Sequence, residues 1–142
     1  MLSPSTYWLL LIAVAAYALW RGDRDERVIA LICVAASVSS LLVVSAWQSS
    51  FSDIEIGILL VDQLTLFGFI AVALVSRRFW PLWAAGFQLT ASMAHLMKAI
   101  HFELMPQAYA AAERLWVYPI FVAIVVGTWR AQRRRSLIAA AD

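Results

Sequence analysis

The chain has 142 residues, of which 63% are hydrophobic and 14% charged, with a mean hydropathy of +0.79. A water-soluble domain holds about 45–50% apolar and about 25% charged residues, so this composition leaves too little polar surface to cover a soluble fold. The net charge of +2 carries little information by itself, and the single cysteine, Cys33, excludes an intrachain disulfide and thiol-pair redox chemistry.

Five hydrophobic stretches run through the chain. Met1–Trp20 is the first expected span. No Lys or Arg precedes Arg21, so the stretch lacks the basic start of a secretory signal peptide and reads as a retained helix. Arg21–Arg27 carries both signs and is expected as a loop in water. Val28–Trp47 is the second span, rich in Ala and Ser, which let helices approach closely in lipid. The polar loop Gln48–Asp53 leads to a third span, Ile54–Ser76, closed by Arg77 and Arg78. The fourth opens at Trp80-Pro81, with proline in the first turn where its missing N–H is harmless, and runs to about Ile100. After a short loop, His101–Met105, the fifth is expected from Pro106 to Trp129. The sequence therefore predicts an all-α integral membrane protein: a five-helix transmembrane domain over residues 1–129 and a basic cytoplasmic tail over residues 130–142.

Basic residues set the expected orientation. Nine of the eleven lie in Arg21–Arg27, Arg77-Arg78 and Arg130–Arg135, the segments that follow spans one, three and five. The positive-inside rule then puts the N-terminus outside and the C-terminus in the cytoplasm, here of a bacterial inner membrane. Trp20, Trp80, Trp83 and Trp129 fall at the inner interface and Trp8 and Trp47 at the outer one, as aromatic belts require. Arg130, Arg133, Arg134 and Arg135 beside a span fit anionic lipid rather than nucleic acid.

Ionisable residues interrupt the apolar spans at one depth. Asp62 lies 15 residues before Arg77, His95 lies 17 after Arg78, and Glu113 lies 17 before Arg130. At ~1.5 Å per residue each is roughly 22–26 Å from the cytoplasmic face, in the outer third of the bilayer. Charges inside a bilayer are expensive, so such a layer is a functional site by default. The expected ligand-binding set is Asp62, Gln63, Gln88, His95, Lys98, Tyr109, Glu113 and Arg114, with Asp62 and His95 in contact across the hairpin of spans three and four. The competing interpretation is structural: the same charges pair and hold the bundle together, although interhelical hydrogen bonds in membranes average only about 0.6 kcal/mol.

The outer half holds Asp53, Glu55, Asp62, Glu103 and Glu113 against Lys98 and Arg114, an acidic excess that would attract cations. Met93, His95, Met97 and His101 form a soft-ligand pattern suited to Cu(I), although Met is also an ordinary gap filler. The two histidines, six residues apart, point about 240° from one another and so cannot together ligate one haem within the chain. A haem shared between subunits, or a quinone bonded by His95 and Tyr109, is a further alternative; no cofactor follows from the sequence. Hydrolase motifs and phosphate-cradling Gly-rich loops are absent. The expected function is a membrane protein handling an ion, proton or small ligand; the alternative is a non-catalytic accessory subunit of a larger membrane complex. Either favours a homo-oligomer or a complex, because five spans are cramped for a monomeric transport path.

Overall fold

The computed structural model describes residues 4–46, 51–100 and 115–141. These form five helices and no strand: α1 (Pro4–Arg21), α2 (Arg24–Ala46), α3 (Phe51–Val75), α4 (Trp80–Ile100) and α5 (Val117–Ala139). Each of the first four packs on the next, and α5 returns against α1 to close the ring.

The links at one end are short for local reasons. Gly22 ends α1, its N–H bonded to Ala18 O at 2.8 Å; a Cβ there would come within 2.3 Å of that oxygen. Glu26 accepts the Asp23 backbone N–H at 3.0 Å, one half of a capping box, and Asp25 and Glu26 put negative charge in the first turn of α2 where the helix dipole favours it. After α3, Ser76 continues the helical bonding to Val72 O at 2.8 Å and its hydroxyl accepts Arg78 N–H at 3.1 Å, which shapes the turn into α4.

The interior is built from small and medium apolar side chains, with Ala15, Ala18, Ala30, Cys33, Ala84 and Ala85 packed around Leu11, Ile29, Phe69 and Ile124. Large apolar residues lie outside: Leu64 is 71% exposed, Phe67 65% and Leu74 80%. Small residues inside bring the helices close, so backbone packing replaces a thick core. Among the described residues, α2 and the Ile56–Val75 part of α3 are long and apolar enough to cross a membrane, while α1 is apolar but shorter.

Helix limits differ from the sequence expectation in three places. α2 starts at Arg24, inside the segment expected as an aqueous loop, and Glu26 has no exposed surface, because the capping bond and Arg78 satisfy its carboxylate. α3 starts at Phe51, three residues before the expected Ile54, which moves Asp62 towards the middle of its helix. α5 runs past Trp129 to Ala139, because Arg, Gln, Ala and Leu are strong helix formers and nothing in that stretch breaks the helix. As described, α5 is entered at Val117, with Pro119 third, where its missing N–H is one of the first-turn orphans. Of the span expected over Pro106–Trp129, residues 106–114 lie outside the described residues.

Candidate functional site

Sequence patterning placed polar side chains on faces of α3 and α4, and two of them meet. Gln88, buried on α4, donates its amide N–H to Asp62 Oδ1 on α3 at 3.3 Å. Both border a partly open cavity of about 290 Å³ reached by all five helices, also lined by Tyr7 and Trp8 of α1, Ser37 and Ser40 of α2, and Thr65 of α3. Val117 and Ile120 close it from α5.

The hydroxyls there have committed their protons. Ser37 donates to Cys33 O at 2.8 Å, so the Tyr7 hydroxyl donates to Ser37 Oγ, 2.6 Å away. Ser40 donates to Ala36 O at 2.9 Å and Thr65 to Val61 O at 2.8 Å. Lone pairs are what these groups have left for a ligand. Together with the Asp62 carboxylate they make an acceptor-rich lining with one formal negative charge among the described residues. Tyr7 is oriented by its ring, stacked on Phe121 with centroids 6.0 Å apart and edge-on to Trp8 at 5.8 Å. One helical turn beyond Gln88, the hydroxyl of Ser92 is buried and has no hydrogen-bond partner among the described residues.

The other expected residues fall differently. Gln63 is half-buried and outside the lining of this cavity. Met93 is 51% exposed, on an outward face of α4. His95, Met97 and Lys98 belong to α4, but their side chains lie outside the described residues, as do the whole of His101, Tyr109, Glu113 and Arg114. The Asp62–His95 contact is therefore outside the described residues, and Gln88, two turns earlier on α4, is one partner of Asp62. No group of three His, Cys, Asp or Glu side chains able to hold a metal occurs among the described residues. Tyr7, Ser37, Ser40 and Thr65 escaped the sequence reading. Ser37 and Ser40 are three apart, as are Asp62 and Thr65, and that spacing puts each pair on one helix face.

A second polar cluster occupies the opposite end of the bundle. Arg78, in the turn before α4, forms an ion pair with Glu26 at 2.7 Å and another with Asp23. Asp23 also pairs with Arg135 of α5, and Asp25 accepts the Ser76 hydroxyl. The α1–α2 link, the α3–α4 turn and the last part of α5 are thereby tied together. Comparison with protein-family models, curated proteins and solved structures finds no match to this chain.

Proposed function

We propose that the chain is a five-span protein of a bacterial cytoplasmic membrane, N-terminus outside, whose cavity binds a small cation or a cationic, hydrogen-bond-donating ligand at Asp62. The observation that carries it is the chemistry of the described lining: one carboxylate together with serine and threonine hydroxyls whose protons are already given to backbone carbonyls, and a tyrosine hydroxyl whose proton goes to Ser37 Oγ. Such a set attracts positive charge and offers little to an anion. A volume near 290 Å³ suits a partly hydrated ion or a small organic ammonium rather than a large cofactor. Support for the membrane reading comes from the inverted packing, with alanine inside and leucine outside. Further support comes from Arg21 over the Trp20 ring at 5.2 Å and Arg133 over Trp129 at 5.4 Å, pairs suited to an interface. Arg130, Arg133 and Arg134 in the last turns of α5 would face anionic headgroups.

The test is ligand-dependent melting of the purified protein in mild detergent, with Na⁺, K⁺ and methylammonium titrated at constant ionic strength against choline. A bound cation at ten times its dissociation constant stabilises by about 1.4 kcal/mol, a readable rise in melting temperature. Asp62→Asn, which keeps the size and the bond to Gln88, should abolish that rise. If none of the three cations shifts the parent, or the variant responds like the parent, the cation site is wrong.

The accessory-subunit reading has one observation of its own. An apolar groove of about 310 Å³ on α4, lined by Phe79, Trp83, Phe87 and Trp116, could seat a partner helix. Other chains found at fixed stoichiometry by mass spectrometry after gentle purification from the native host would favour it.

A further inference from the structure

The charged end of the bundle holds a groove that the cation site does not use. Between α2 and α3 lies a cavity of about 440 Å³ with an apolar wall, Val28, Val72 and Val75, and a polar rim that includes Arg24, Asp25 and Arg77. Most charges nearby are already matched: Arg78 is held by Glu26 and Asp23, and Asp25 accepts the Ser76 hydroxyl. Arg24 and Arg77 are different. Both are exposed, and neither makes an ion pair or hydrogen bond with another side chain among the described residues. With Arg78 neutralised, the rim has two guanidinium groups against the one carboxylate of Asp25, a formal excess of one positive charge.

We propose that this groove is a specific site for an anionic phospholipid, with the phosphate on Arg24 and Arg77 and the first part of an acyl chain along Val28, Val72 and Val75. The proposal rests on the membrane reading above. Guanidinium groups recognise phosphate oxygens in paired, charge-assisted hydrogen bonds, and two on one rim favour an anionic phosphodiester over a neutral ligand. A lipid of net charge −1 neutralises the rim. A zwitterionic lipid carries its own ammonium to the same guanidinium groups and leaves the excess uncompensated. The apolar wall continues into the exposed face of α3, where Val75 and Leu74 are 77% and 80% exposed, so a chain can leave the groove into bilayer. The Arg133 and Arg134 side chains, exposed on α5 and outside the lining of this groove, would attract any anionic surface without selecting one molecule.

Native mass spectrometry of the full chain, released from detergent with phosphatidylglycerol or phosphatidylcholine of identical acyl chains, tests this. The first phosphatidylglycerol should bind about ten-fold more tightly than the first phosphatidylcholine. Arg24→Gln/Arg77→Gln should remove the preference, and Arg133→Gln/Arg134→Gln should leave it. Ala71→Trp fills the groove without changing charge, since Ala71 is exposed in its lining, and should weaken the first phosphatidylglycerol comparably even if the arginine variant fails to fold. Equal binding of both lipids by the parent, or a preference lost only in the tail variant, overturns the site. A chain that stays in the aqueous fraction without detergent overturns the membrane reading itself, and that outcome is distinct from a membrane-bound chain showing no lipid preference.

Discussion

Glu26 has no exposed surface, and a carboxylate so placed survives because its oxygens are all engaged. One accepts the Asp23 N–H at 3.0 Å and the other the Arg78 guanidinium at 2.7 Å. Removing one partner of such a pair leaves the other charge poorly solvated, and the loss for buried pairs reaches about 3–5 kcal/mol. Arg78 keeps Asp23 and is 23% exposed, which puts Glu26→Ala at the low end, about 3 kcal/mol. Glu26→Gln retains an acceptor for the cap and loses only the charge, so it should cost about half as much. Thermal melting of both variants in the same detergent checks the order; an alanine variant as stable as the parent would mean that the cluster contributes nothing. The spacing that announces this site, Asp23 followed by Glu26, is written in the sequence. It stayed hidden because a run of both signs looks like a solvated loop, and no local signal tells that Arg78, 52 positions away, comes to meet it. Asp62 was the converse case: a carboxylate in an apolar run was legible, whereas the Tyr7, Ser37 and Ser40 hydroxyls that share its cavity come from other helices.

α5 shows how an element's limits depend on what surrounds it. Its expected start at Pro106 lies outside the described residues, and Pro119 fits the third position of the helix described from Val117. Its expected end at Trp129 set the basic tail apart from the helix, but arginine is a good helix former, and the pairing of Arg135 with Asp23 anchors the extension. The middle of α5 is pressed against the first residue of α4. A Cβ on Gly127 would lie 2.8 Å from Trp80 Cε2 and 3.1 Å from Nε1, so only glycine admits the indole at that depth. Gly127→Ala must therefore displace a ring with little freedom, and should destabilise by about 1–3 kcal/mol, the usual range for overpacking. The same change in a Trp80→Leu background should be milder, because the aliphatic side chain leaves room for the methyl. Denaturation midpoints of the four proteins in a double-mutant cycle measure this, and strict additivity would remove the contact as the cause. No local pattern in the sequence singles out Gly127, because the indole that requires it is 47 positions earlier.

At the scale of the molecule, charge and packing agree on one end of the bundle. The positive-inside pattern grouped three basic segments from their loop positions alone, and Asp23, Arg78 and Arg135, one from each, are joined by ion pairs. That grouping was legible because it depends only on how many times the chain turns. It leaves open how many helices cross a bilayer, since only α2 and the Ile56–Val75 part of α3 meet the length and apolarity of a span among the described residues. Reporter fusions decide between the two possibilities. If five helices cross, fusions after Gly22, Phe79 and Ser136 report cytoplasm, fusions after Ser50 and Glu103 report the outside, and a tag before Met1 is outside. If only α2 and α3 cross, the fusions after Gly22, Phe79 and Ser136 and after Ser50 give the same answers, because α2 and α3 still form one hairpin. The fusion after Glu103 and the tag before Met1 would then turn cytoplasmic. Those two positions carry the decision. Outside signals at both are expected, because large apolar side chains on α1, α4 and α5, among them Leu9 at 68%, Leu89 at 51% and Val122 at 61% exposure, need lipid on every side of the ring.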